Sequence, residues 1–259
     1  MSYLVNPYMV TAGGATYTNV DNLIFYAQWD ESSGDIINQA TAKGSSSSLG
    51  NDADIVITGA TYSQTGIIDE ALSFDGTNDL GGFGDSDYKD AFAFVHGTGD
   101  WTFNFWLNLT TFGASECLFS NHDPTEQAGF SMRLGNNSSQ LGLGITSAAG
   151  TFMCNNDEDL AEEFTTGEWH MVTWTCDYSD ASDCYECFVD GVSQFTVARV
   201  NNGSATTPEY STKTMVRGNG TSLFVNGLQD ETSIWQRILS DEDITELYNS
   251  GAGLVIDGT

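Results

Sequence analysis

Positive charge is what this chain lacks most. Only 7 of its 259 residues are Lys or Arg, against 36 Asp or Glu, for a formal net charge of −29. Nothing in that balance can neutralise a run of phosphates, so binding to bare nucleic acid is excluded. A polybasic grip on anionic lipid is excluded for the same reason. Long apolar runs are missing too. None approaches the roughly 18–20 residues that span a bilayer, so no membrane insertion is expected. The opening stretch 1–10 has neither a basic region nor a continuous apolar segment, so it does not read as a secretory signal. The expectation is a protein made in the cytoplasm that reaches a virion surface or the extracellular space by another route, or a mature fragment.

Catalytic signatures are equally thin. There is no Gly-x-Ser-x-Gly elbow, no phosphate-cradling Gly-rich loop and no dinucleotide fingerprint. The three histidines, His96, His122 and His170, have no nucleophile paired with them in sequence. Glycoside hydrolysis needs two carboxylates flanking one bond. The nearest such pattern, Asp241 to Glu246, falls on a predicted helix and serves its N-terminus.

Apolar residues make up 40% of the chain, which is enough for a sizeable core. Short segments rich in aromatic and β-branched residues recur between Gly, Asn, Asp and Ser clusters. They include 23–27, 55–57, 71–74, 101–106, 130–134, 141–145, 171–175, 187–189 and 233–235. This spacing predicts an all-β, two-sheet antiparallel sandwich or jelly roll. Within 101–106, Trp101, Phe103 and Phe105 share one face while Thr102, Asn104 and Trp106 share the other. One face suits a core and the other a concave surface. Ser240 followed by Asp241, Glu242 and Asp243 starts one short C-terminal helix with an Ile244, Leu247, Tyr248 stripe, and Gly251 is its expected stop.

Residues 1–20 carry little core pattern and are expected to form an N-terminal arm, flexible or docked on a partner, ahead of a domain at 21–259. Segment 155–168 reads as an acidic loop and 200–215 as a polar loop. Five cysteines, 117, 154, 176, 184 and 187, leave at least one unpaired if disulfides form. Free thiols or one Cys176–Cys187 cross-strand bridge both remain open.

Four segments in order carry a family resemblance. They are Ala71–Asp79 with its Phe74-Asp75-Gly76 core, Trp101–Trp106, Trp169–Trp174 with Phe188-Val189-Asp190-Gly191, and Gly227–Glu231 running on to Ile234–Ser240. Together they resemble the laminin G-like members of the concanavalin A-like lectin/glucanase superfamily over roughly residues 21 to 251. Gln229 stands where an apolar residue is usual, and Met171 where a second His is common. The resemblance implies a concanavalin A-like jelly roll and a structural place for His170.

Asp75, Asn78 and Asp79 crowd oxygens into one turn. That turn cannot saturate calcium alone, and the resemblance suggests Asp230 as the fourth ligand of a structural calcium. The same residues also suit an Asx-turn with a buried, hydrogen-bonded Asp. Phe83, Tyr88 and Trp106 are the aromatics expected to stack on a glycan. The expected function is therefore a non-enzymatic surface module. It would be a virion decoration, fibre or tail-associated protein that docks on capsid or tail through its arm, binds glycans and forms homo-oligomers where symmetry calls for it. The alternative is a secreted or cell-surface adhesin domain, and a glycoside hydrolase comes last.

Overall fold

The computed structural model describes residues 15–45, 49, 54–84, 88–122, 128–147, 151–160, 164–208, 210–218 and 220–258, with the Tyr88 side chain left out. Two antiparallel sheets stack face to face. One contains seven strands in the spatial order β11 (Thr151–Asp159), β10 (Gln140–Ser147), β9 (Gly129–Leu134), β8 (Cys117–Ser120), β15 (Lys213–Thr214), β6 (Leu80–Phe83) and β3 (Ile55–Thr58). The other runs β14 (Val192–Val197), β13 (Tyr185–Val189), β12 (His170–Cys176), β7 (Trp101–Leu109), β16 (Asn226–Trp235), β5 (Glu70–Asp75) and β4 (Thr61–Thr65), with β2 (Leu23–Ala27) also on β16. The expected sandwich is what forms.

Alternation builds the core. From β7, Trp101, Phe103, Phe105, Leu107 and Leu109 point between the sheets. Their cross-strand partners Val172, Trp174 and Cys176 do the same, so the period-2 pattern of one strand matches that of the next. Phe25, Phe83, Phe92 and Phe119 fill the middle in edge-on and tilted contacts.

The opposite face of β7 is covered as well. Trp106, Met171, Phe188 and Trp235 pack under Leu239, Ile244 and Leu247, from the C-terminal helix α1 (Asp241–Tyr248) and the segment leading into it. The helix starts on the expected capping box between Ser240 and Asp243. Its left-handed stop is Asn249, two residues ahead of the expected Gly251.

The expected arm is corrected in part. Thr16 and Tyr17 form β1, which pairs in parallel with β17 (Val255–Ile256). Tyr17 is buried against Trp235 and donates its hydroxyl to Asp243. Residues 15–20 thus belong to the body, and 1–14 lie outside the described residues. The expected acidic loop at 155–168 is also corrected. Its first part belongs to β11, an edge strand whose Asn and Asp side chains discourage edge-to-edge pairing.

All five cysteines are buried and unpaired. Cys187 lies opposite Trp174, so the bridge to Cys176 is not formed. The near neighbour of Cys176 is Cys184, with sulfurs 3.8 Å apart. Among the described residues no helix is long and apolar enough to cross a membrane.

Candidate functional site

The four expected calcium ligands are not brought together. Asp75 accepts the backbone N–H groups of Thr77 and Asn78 at 2.7 and 3.3 Å, and Asp79 accepts that of Asp75 at 3.0 Å. This is the Asx-turn alternative, with Asp79 buried. Asp75 pairs with Asn226 across the sheet, so Asp230, four residues further along β16, sits about 13 Å away along the strand. The Asp230 carboxyl accepts N–H groups from Ile67, Ile68 and Glu231 at 2.8–3.2 Å instead. Among the described residues no three His, Cys, Asp or Glu side chains converge as metal ligands.

Asp230 anchors a different feature. It shares a buried acidic corner with Glu231, which accepts the Tyr26 hydroxyl at 2.5 Å, and with Asp30, which accepts the Glu70 N–H at 2.9 Å. Burial pushes the pKa of Asp230 and Glu231 well up, and that of Asp30 up to about 6. These carboxyls accept backbone N–H groups and the Tyr26 hydroxyl. They brace the junction of β2, β16 and the 66–70 turn.

The expected stacking aromatics need correction too. Phe83 is fully buried, with ring centroids 5.0 and 4.9 Å from Phe25 and Phe92. It ends a strand and faces the core, which is why it is covered. Trp106 is 2% exposed and lies stacked on Tyr248, 5.8 Å between centroids, beneath the C-terminal helix. Neither ring is free to receive a sugar. Tyr88 opens the 3-10 turn Tyr88–His96, and its side chain lies outside the described residues.

His170 takes the structural place expected of it. Its Nδ1 is 2.8 Å from Asp190 Oδ2, and Asp190 Oδ1 accepts the Met171 N–H, so the imidazole ties the β13–β14 turn to β12. Its Nε2 is 2.6 Å from Thr165 Oγ1. This chain has the order of a hydroxyl–His–carboxylate relay. The Thr165 hydroxyl, however, also points to the Glu168 carboxylate at 3.1 Å, which competes for the same proton.

The outer face of the seven-stranded sheet carries the concave site. A depression of about 340 Å³ opens over β8 to β11 and the turn at 217–223. Phe130, Met132 and Leu134 of β9 point inward, as do Leu141, Leu143 and Ile145 of β10, which leaves the alternate positions facing out. One cross-strand row reads Cys117, Arg133, Gly142, Asp157, and the next reads Ser120, Ser131, Gly144, Asn155. Phe152, half exposed at 50%, stands at one side, with His122, Thr146, Arg217 and Leu223 completing the lining.

Gly144 lines this hollow, and Gly142 beside it leaves room for the Arg133–Asp157 bridge. Arg133 reaches across Gly142 to Asp157, Nε to Oδ1 2.9 Å, and also donates to Ser131 and Asn155. A Cβ on Gly142 would fall 2.0 Å from Asp157 Oδ1, and one on Gly144 would fall 2.7 Å from Arg133 Nη1. The floor is therefore flat, polar and already hydrogen-bonded in place. Burial raises the Cys117 thiol to about 11, so it stays protonated and offers no nucleophile.

Sequence reasoning missed this site. The signal was there in Leu141-Gly142-Leu143-Gly144-Ile145, where a strand gives up alternate side chains, beside the only Arg in the neighbouring strand. Phe152 gave none, because it sat beside the region expected to be a loop.

Comparison with known proteins agrees with this architecture. A laminin G-like family model, described as the Concanavalin A-like lectin/glucanases superfamily, matches residues 83–245. No curated protein matches the sequence. Among solved structures, domain 4 of AbnA, a GH43 extracellular arabinanase from Geobacillus stearothermophilus solved with arabinotriose, superposes with a TM-score of 0.62 at 16% identity. That match covers 87% of this chain and 97% of that one. The botulinum neurotoxin serotype D binding domain gives 0.59 at 12% identity, covering 89% of this chain and 52% of that one. The binding domain of Paraclostridial Mosquitocidal Protein 1 gives 0.60 at 14%, covering 89% and 52%. The chain thus spans about half of those two toxin domains and nearly all of the arabinanase domain. At these identities the likeness is one of fold. From the paired sheets, the cross-strand registers and the matched segment together, the chain belongs to the concanavalin A-like lectin/glucanase superfamily.

Proposed function

We propose that the protein is a non-enzymatic carbohydrate-binding module, and that it binds at the depression over β8 to β11. The observation that carries this is the pairing of a half-exposed Phe152 ring with a glycine-floored row of fixed polar groups. A sugar ring needs one apolar platform and several hydroxyl partners, and Phe152 with Ser131, Thr146, Asn155 and Asp157 supplies both. The arabinanase domain solved with arabinotriose shares the fold, which supports a saccharide as the ligand class. A binding role is favoured over hydrolysis because Asp157 is the only carboxylate among the described lining residues, and it is tied to Arg133.

The test is titration of a glycan panel by calorimetry against wild type and Phe152→Ala, alongside a turnover assay on the same glycans. Binding that Phe152→Ala abolishes, without turnover, is the expected outcome. Binding unaffected by Phe152→Ala would move the site elsewhere, and released product would make the protein an enzyme.

We further propose an exposed setting, on a virion as a decoration, fibre or tail-associated protein or, as the alternative, on a cell as an adhesin domain. A net charge of −29 keeps a densely displayed module from adhering to itself, which supports either. Any docking arm would be the stretch 1–14. Enrichment of the protein in purified virus particles is the expected result, and its absence from them would leave the adhesin reading.

A further inference from the structure

The depression holds a disproportionate share of the few positive charges in this chain. Two of the seven Lys and Arg residues, Arg133 and Arg217, line it. Lys213 adjoins the same turn, since a Cβ on Gly220 would lie 3.2 Å from its Cε. The two arginines differ in what they are free to do. Arg133 spends its donors inside the protein, on Asp157, Ser131, Asn155 and the Asn156 carbonyl. Its charge is matched by Asp157.

Among the described residues, the hydrogen bonds of Arg217 are those of its backbone. Its N–H donates to Ser222 O at 3.1 Å and its carbonyl accepts from Gly220 at 2.7 Å, which fixes the turn at the rim. Among the described residues its guanidinium has no ion pair, whereas the Arg133 and Arg237 guanidiniums do and that of Arg199 lies over the Tyr178 ring. The side chain is half-buried, so its charge is only partly screened by water.

A guanidinium without an ion pair among the described residues is notable in a chain where acids outnumber bases five to one. We infer that the ligand of this site is an acidic saccharide whose carboxylate pairs with Arg217. A guanidinium offers two parallel N–H donors that fit the two oxygens of one carboxylate. A uronic acid brings such a carboxylate on the same ring that would lie against Phe152, and its hydroxyls would meet Thr146 and Asn155. The surrounding negative charge repels free anions in general, so occupancy depends on this one pairing, and the site would select strongly for it. The inference rests on the carbohydrate reading of the same site and adds the charge of the ligand.

Calorimetry with uronic-acid trisaccharides (galacturonate, mannuronate and guluronate), their fully methyl-esterified forms and neutral arabinotriose tests it. Esterification keeps the ring and removes the charge. Wild type is expected to bind one of the acids roughly tenfold or more tighter than its ester. The preference should shrink as salt is raised. Arg217→Gln should erase the preference while keeping the wild-type melting temperature, since that side chain has no ion pair among the described residues. Equal binding of acid and ester, lost in Phe152→Ala, would overturn the charge inference and leave the carbohydrate reading standing. So would a preference that survives in Arg217→Gln. No binding of any saccharide would remove both.

Discussion

Replacing Phe83 with alanine separates packing from binding. The ring is fully buried and contacts Phe25, Phe92 and Phe119, with centroids 4.9–6.1 Å away. Its removal deletes six ring carbons from the middle of the sandwich, and the neighbouring rings belong to both sheets and to the Tyr88–His96 turn, so they cannot all close in. A Phe→Ala change of this kind costs about 3–5 kcal/mol. For a domain of this size each kcal/mol moves the melting temperature by about 2–4 °C, so a fall of about 6–20 °C is expected. Phe152→Ala is the companion. That ring is half exposed at an edge strand, and its loss should cost about 0.5 kcal/mol, or no more than about 2 °C. Scanning fluorimetry reads both variants, and calorimetry well below either melt reads saccharide binding. Phe83→Ala should lose stability and keep its affinity, and Phe152→Ala should do the reverse. If Phe83→Ala melted like wild type and lost binding, the assignment of inside and outside would be wrong.

Three further outcomes follow from the buried groups. The Asp30 carboxyl titrates near 6 in the fold and at 3.8 when unfolded, so between those values the folded state holds more protons. Its contribution to stability is therefore best below about pH 4, declines as pH rises through the window and is flat above 6. Screening at this half-buried site leaves about 1 kcal/mol of the effect. The melting temperature should rise when pH falls from 7 to 5, and Asp30→Asn should remove part of that rise. An unchanged slope in the variant would rule Asp30 out as the cause. Chelation by EDTA should leave the melting temperature where it is, because the oxygens of Asp75, Asp79 and Asp230 already accept backbone N–H groups. A drop of several degrees would return calcium to the account. The five buried thiols should stay unreactive towards a disulfide reagent at pH 8 until the protein unfolds, and rapid labelling of any one would contradict its burial.

How legible was this molecule in its sequence? Alternation in Trp101–Trp106 gave the strand and its core face, whereas the other face, expected to be a concave surface, is covered by the C-terminal helix. The helix was equally plain, since Ser240 and Asp243 form a local cap that needs no distant partner. The site was harder. Phe83 and Trp106 have the chemistry of a sugar platform, but whether a ring is covered depends on which segment lies over it, and for Trp106 that is decided more than a hundred positions away. Tyr248 covers Trp106, and no local pattern announces it. Asp230 was misplaced for a similar reason. The resemblance put it beside the Asp75 turn, whereas the strand register puts it against Ile67 and Ile68. The hollow at Gly142 and Gly144 was visible only as missing side chains, which become a site once Arg133 and Asp157 are known to bridge them.

The terminal segments and the helix cover one broad face of this sandwich, and the proposed site lies on the outer face of the other sheet. If the proposed depression is the sugar contact, one such shallow contact on a single copy would dissociate quickly. Firm attachment must then come from several copies fixed side by side, with each bound copy raising the local concentration for the next. Such an array would grip a long polymer or a crowded coat far better than a short free fragment, and its strength would be set by how closely the copies are spaced.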